Sequence, residues 1–295
     1  MRKSVIVFGI LLALVSCKKV NLNDLAFPST KLEAYQLEAF DGPEVLPAQY
    51  AIDPANRTLV TMQSKDVQTG ESFTIYGVYI GDISTIATDT VILYLHGQSD
   101  HMDLYYTRAS VLANVGGKHN FGVFMIDYRG FGLSEGSSTE RGLYEDTDAA
   151  INWLIAQGAT PEKTYYYGFS LGAIPSINRA AERTDFKPRK IMLESPLASV
   201  ENLVHSSTLI NVAPNFVTTL EFNNAEKIKQ VACPLLWFHG KEDTYIAIQN
   251  GELIYANHQQ GEKVAYRIDG ADHSEVPWKM GIEPYLAGIL NFMRQ

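Results

Sequence analysis

Val91-Ile92-Leu93-Tyr94-Leu95 and Val123-Phe124-Met125-Ile126 are apolar at every position. A strand with one wet face alternates apolar and polar residues, so these runs predict strands buried on both faces. Between and after them the pattern changes to helical spacing, as in Glu145 to Ala156, where Ala149, Ala150, Trp153 and Leu154 share a face. Further strands are predicted at Thr164–Tyr167, Lys190–Leu193, Pro234–Phe238 and Lys263–Ile268. Helices are predicted near Leu104–Asn114, Ala173–Arg183, Ile246–Asn257 and Glu283–Phe292. Strands alternating with helices imply right-handed crossovers and an α/β fold with a mostly parallel central sheet flanked by helices. Residues 31–82 read as β-rich, with a hairpin of Thr58–Met62 and Phe73–Ile80 around a polar turn containing Gly70. A chain of 295 residues needs only one large domain to accommodate this.

Gly168-Phe169-Ser170-Leu171-Gly172 joins a predicted strand to a predicted helix. A serine on so sharp a turn has its Oγ exposed beyond the sheet, and the glycines permit the turn. A serine hydroxyl is a weak nucleophile at neutral pH. It needs a histidine to accept its proton and an acid to orient that histidine. In this strand–turn–helix setting the acid follows the serine and the histidine comes last. His273, in Gly270-Ala271-Asp272-His273-Ser274, follows the last strand and is the expected base. Asp243, just beyond the strand ending at Phe238, is the expected acid, with Glu242 and Asp272 as rivals. His96 and His239 each precede a glycine at a strand end and are expected to shape tight turns. His101, His119, His205 and His258 are expected at the surface, with His205 toward the cleft if a lid covers it. An oxyanion hole takes two backbone N–H groups. Leu171, after the serine, and Gln98, in the loop after the strand ending at Leu95, are the expected donors.

These landmarks together resemble the α/β-hydrolase superfamily. The matching segments are Leu95-His96-Gly97-Gln98, Asp127-Tyr128-Arg129-Gly130-Phe131-Gly132-Leu133-Ser134, the elbow at Ser170, His239-Gly240-Lys241-Glu242-Asp243, and Asp272-His273. Glu194-Ser195-Pro196-Leu197-Ala198-Ser199 is similar to small-lid members grouped with serine aminopeptidases and monoacylglycerol lipases. The resemblance covers Phe73 to the C-terminus and implies acyl transfer to water. Serine at position 170 argues against relatives that cleave carbon–halogen bonds or epoxides, which use an aspartate there. The expected activity is hydrolysis of small or acyl-chain carboxylic esters. Peptide or amide hydrolysis, acyl transfer to an alcohol, and a non-catalytic binding protein of this fold are the alternatives. Asp127 and Arg129 are expected to hold a turn rather than act on substrate.

The first residues carry a separate message. Arg2-Lys3, the apolar run Val5–Val15 and Leu14-Val15-Ser16-Cys17 resemble a bacterial lipoprotein signal, with Cys17 lipidated. The expected organisation is a signal peptide at 1–16, a tether at 17–30, and a hydrolase domain at 31–295. The stretch at about 197–230 is longer than one crossover needs and reads as a lid. The expected location is the bacterial cell envelope, periplasm-facing or on the cell surface. The net charge of −9 without a basic stripe argues against a nucleic-acid partner. With Cys17 lipidated, Cys233 has no intrachain partner. No metal-ligand spacing occurs, and neither metal nor cofactor is expected.

Overall fold

The computed structural model describes residues 27–38, 45–117, 121–202 and 219–295. Among them an eight-stranded sheet runs in the order β1-β2-β4-β3-β5-β6-β7-β8. The strands are β1 (Arg57–Lys65), β2 (Ser72–Ile80), β3 (Val91–Leu95), β4 (Gly122–Asp127), β5 (Thr164–Phe169), β6 (Lys190–Glu194), β7 (Leu235–Gly240) and β8 (Lys263–Ile268). β1 and β2 form an antiparallel hairpin registered from Arg57 opposite Ile80 to Lys65 opposite Ser72. Its turn closes on the Asp66 carboxylate, which accepts the Gln68 and Thr69 amides. β2 runs antiparallel to β4, and every pairing from β3 to β8 is parallel.

The all-apolar runs follow from burial on both faces. Leu93 and Leu95 enter one core with Phe124, Ile126 and Tyr166. Ile92 and Tyr94 enter the other with Val123, Met125 and Tyr167. Helices α2 (Glu140–Ala156) and α3 (Ala173–Glu182) cover the first face through Leu143, Ile151, Leu154, Ile174 and Ile177. Helix α1 (Met102–Leu112) and the C-terminal helix α7 (Ile282–Arg294) cover the second through Tyr106, Leu112, Tyr285 and Ile289. Each such side chain, fully buried, contributes about 1.5–3 kcal/mol. Shorter helices α4 (Asn224–Lys227), α5 (Gln249–Asn257) and α6 (Val276–Met280) complete the set used below. This is the α/β architecture expected, with a mostly parallel sheet between helical layers.

Several boundaries differ, each for a local reason. α2 starts at Glu140, five residues early, because the Thr139 hydroxyl caps it by accepting the Gly142 amide at 2.9 Å. α5 starts only at Gln249, because the Asp243 carboxylate draws the Tyr245 and Ile246 amides into a turn. The described part of 31–56 is not β-rich. It holds a single-residue bridge, Lys31 to Gly132, and two short 3-10 turns, one beginning at Pro54. Prolines at 47 and 54 lack the donors that a strand ladder requires. Phe27, inside the stretch read as a tether, is buried in the core below α2 and α3.

The ends of the long stretch after β6 come together. Val200 donates its amide to Phe222 O at 3.1 Å, and Ala225 donates to Ala198 O at 2.9 Å. The centre of the expected lid, residues 203–218, lies outside the described residues, as do Cys17, His119 and His205.

Candidate active site

Parallel strands present their carboxyl ends to one side of the sheet, and ligands in such folds bind there. Ser170, Asp243, His273 and Gln98 all follow such ends, those of β5, β7, β8 and β3. Ser170 has φ +51°, the left-handed conformation that L-residues seldom adopt. The flanking glycines are sterically required. A Cβ at Gly168 would meet Gly172 O at 2.6 Å, and a Cβ at Gly172 would meet Leu95 O at 1.9 Å. That proximity also seats the elbow against the loop after β3.

The Ser170 Oγ lies 2.9 Å from His273 Nε2. His273 Nδ1 lies 2.8 Å from Asp243 Oδ2. The other carboxylate oxygen, Oδ1, accepts the Tyr245 amide at 3.0 Å and the Ile246 amide at 2.7 Å. Burial pushes the Asp243 carboxyl up, but hydrogen bonds from His239, His273 and the Ile246 amide outweigh it and hold the group well below the usual carboxylate range. The two rival acids are used elsewhere. Asp272 Oδ1 accepts the Thr244 and His273 amides, and Glu242 accepts the Gly270 amide. Both tie the β7 loop to the β8 loop and leave the His273 ring to Asp243.

Leu171 is buried in the short 3-10 turn that leads into α3. Its amide sits at the positive end of that helix. In the loop after β3, Gly97 O lies 2.7 Å from His96 Nδ1. A trans peptide then turns the Gln98 N–H to the opposite side.

His96 and His239 do more than shape turns. His96 is buried, and its Nε2 contacts Asp127 Oδ1 at 3.0 Å. Both its ring nitrogens face oxygen atoms, Gly97 O and Asp127 Oδ1. His239 is buried with Nε2 at 2.8 Å from Ile246 O and 3.1 Å from Asp243 Oδ2. Trp237 donates its indole N–H to His239 Nδ1 at 3.3 Å, which assigns the remaining proton to Nε2. His101 and His258 are buried, against the expectation of surface positions. His101 sits at the cap of α1, and His258 packs its Nε2 on Cys233 O at 3.0 Å. Asp127 and Arg129 are not paired with each other. Asp127 also accepts Tyr35 Oη and the Met102 amide, while Arg129 binds Asp146 and Glu145.

A buried ion pair behind His273 escaped the sequence reading. Arg108, on α1, pairs with Glu194 at the end of β6. Its other nitrogen donates to Ser274 O at 2.8 Å, and its guanidinium lies 4.2 Å from the centre of the Phe169 ring. Phe169 in turn packs against the His273 ring, with centroids 5.3 Å apart. Glu194 also accepts the Tyr167 and Tyr285 hydroxyls. The available signal was an arginine inside a buried helix and a glutamate closing a buried strand. Tyr245, 52% exposed, stands edge-on to His273, with ring centroids 5.0 Å apart. Among the described residues no cluster of three or more His, Cys, Asp and Glu is arranged to hold a metal ion.

Comparison with known proteins places this geometry. The family model described as serine aminopeptidase, S33, matches residues 87–231. Human alpha/beta hydrolase domain-containing protein 17B is 31% identical over 188 residues, 63% of this chain and 60% of the relative, so the match spans about three-fifths of that protein. The alpha/beta hydrolase L404 of Acanthamoeba polyphaga mimivirus is 30% identical over 65% of this chain and 70% of its own length. Among solved structures, an esterase of Pyrococcus furiosus superposes with a TM-score of 0.63 at 17% identity, over 94% of this chain and 97% of its own. The acylaminoacyl peptidase of Pyrococcus horikoshii gives 0.58 at 17% identity, over 81% of this chain and 40% of its own. A sheet of this order, a serine elbow at the end of β5 and relatives of this extent lead to one conclusion: the chain belongs to the α/β-hydrolase family.

Proposed function

We propose that the protein is a serine esterase acting on small or acyl-chain carboxylic esters. The observation that carries this reading is the unbroken series Ser170 Oγ, His273 Nε2, His273 Nδ1, Asp243 Oδ2, with contacts of 2.9 and 2.8 Å. In the acylation step Ser170 Oγ bonds to the ester carbonyl carbon while His273 Nε2 takes its proton. The carbonyl oxygen becomes an oxyanion facing the Leu171 and Gln98 amides. Collapse expels the alcohol, which receives the proton from His273. Water, deprotonated by the same nitrogen, then attacks the acyl-enzyme, and the acid leaves with Ser170 restored. Asp243 keeps the His273 tautomer correct and stabilises the imidazolium.

The family model's description as a serine aminopeptidase supports a second reading, hydrolysis of an amide or peptide bond. An amine leaving group asks more of His273 as an acid, so the ester reading is preferred. A panel of p-nitrophenyl esters of rising acyl length, run beside aminoacyl arylamides, separates the two and measures pocket depth. Covalent labelling by a fluorophosphonate probe, lost in Ser170→Ala, is the expected result. A folded wild-type protein that stays unlabelled argues for a binding protein instead.

Lipid anchoring at Cys17 and an envelope location are proposed from the N-terminal residues alone. Cys17→Ala is expected to abolish lipid incorporation and release the protein from membranes. Membrane retention of that variant after signal cleavage argues against the anchor.

A further inference from the structure

Residues 27–37 precede β1 and fall outside the segment matched by the family model, yet they grip the loop that carries Gln98. Ser99, the next residue, has φ +79°, a conformation that persists only where its surroundings hold it. Two of those holds come from the N-terminal segment. Ser99 donates its amide to Pro28 O at 2.9 Å, and Ser99 O accepts the Thr30 hydroxyl at 2.8 Å. The peptide joining Gln98 to Ser99 is therefore fixed at both ends, since its carbonyl, Gln98 O, accepts the Tyr105 hydroxyl at 2.8 Å. The preceding peptide is fixed through Gly97 O and His96 Nδ1 at 2.7 Å. With both planes held, no torsion at Gln98 is free, and the direction of its N–H is set.

The segment has its own footing on the neighbouring loop after β4. Thr30 O accepts the Gly132 amide at 2.8 Å, and Leu32 donates to Gly132 O at 3.1 Å. Tyr35 donates its hydroxyl to Asp127 Oδ2 at 2.6 Å, and Phe27 is buried. The Asp127 and Gly132 contacts lie at the carboxyl end of β4 and in the loop that follows it.

We propose that residues 27–31 form a strap that positions the Gln98 amide toward an oxyanion, with Thr30 as a positioning residue. This rests on the reading of Ser170 and Gln98 given above. Thr30 is exposed, so its substitution spares the core. Thr30→Ala is expected to lower kcat on a p-nitrophenyl ester about tenfold, short of the roughly hundredfold that follows loss of a whole oxyanion donor. KM stays unchanged, because ground-state contacts are untouched. Affinity for an alkyl trifluoromethyl ketone, whose adduct carries the same oxyanion, falls by the same factor. Thr30→Ser, which keeps the hydroxyl, restores both. Wild-type kcat and inhibitor affinity in Thr30→Ala, with turnover abolished in Ser170→Ala, overturn the strap alone. Turnover that survives Ser170→Ala overturns the underlying site instead, whatever Thr30 does.

Discussion

Asp243 is buried and charged because donors surround it: two backbone amides on Oδ1, His273 and His239 on Oδ2. Asp243→Asn keeps the shape and loses the charge, so the proton on His273 is no longer directed to Nδ1. We expect kcat to fall about ten-thousandfold with the fold intact, as read by steady-state kinetics and circular dichroism. The same residue makes stability depend on pH in a defined direction. Its carboxyl is depressed in the folded state, so its contribution is fully present above the ordinary carboxylate value of about 4. That contribution is lost as pH falls through the lower folded value. The stability difference between wild type and Asp243→Asn should be constant above about pH 5 and shrink on acidification; a difference that instead grew toward acid would contradict the depressed carboxyl. Ser170, Asp243 and His273 were legible because each follows a strand in chain order. Arg108 was not, because its partners Glu194 and Ser274 are set by the packing of distant elements. His239 was not, because its contacts with Trp237, Asp243 and Ile246 depend on how the loop after β7 folds back, which leaves no periodic trace.

At the level of elements, strands were easier to read than helix ends. β8 lies where the apolar pattern put it, at Lys263–Ile268. β3 likewise spans Val91–Leu95. Helix starts depended on single contacts that no pattern shows. Gly142 weakens helix propensity in the first turn of α2, yet a Cβ there would meet Arg129 Cδ at 2.8 Å, so glycine is what lets the helix begin beside the loop after β4. The elbow poses the sharper steric demand. Gly172→Ala would press a methyl group into the end of β3, against backbone that cannot rotate away. We expect it to cost at least about 3 kcal/mol. Gly270 provides the comparison: it has φ +70°, but a Cβ there would meet nothing within 4 Å. Gly270→Ala should cost only about 1–2 kcal/mol, the strain of the left-handed conformation. Urea unfolding of both variants measures the difference, and similar losses would mean the elbow is looser than its geometry implies.

For the molecule as a whole, the site is assembled from pieces far apart in sequence, and the Arg108–Glu194 pair is one of its fasteners. Arg108 joins α1 to the end of β6 and to the His273 loop, while Glu194 gathers Tyr167 from β5 and Tyr285 from α7. The two side chains are almost wholly buried. Removing one partner leaves the other charge buried without compensation, at a cost of about 3–5 kcal/mol. Replacing both with apolar residues removes that imbalance. Arg108→Met and Glu194→Met should therefore each destabilise strongly, and the double variant should be more stable than the sum of the two predicts, by roughly 2–3 kcal/mol. Stability alone does not test the link to the site, because any buried pair could behave so. The distinguishing readout is catalytic: with the charges gone, Ser274 O loses its donor and Phe169 loses the guanidinium stacked on it. The double variant should then fold yet turn over esters more slowly, with kcat reduced and KM held. Wild-type kcat in a stably folded double variant would confine the pair to a structural role.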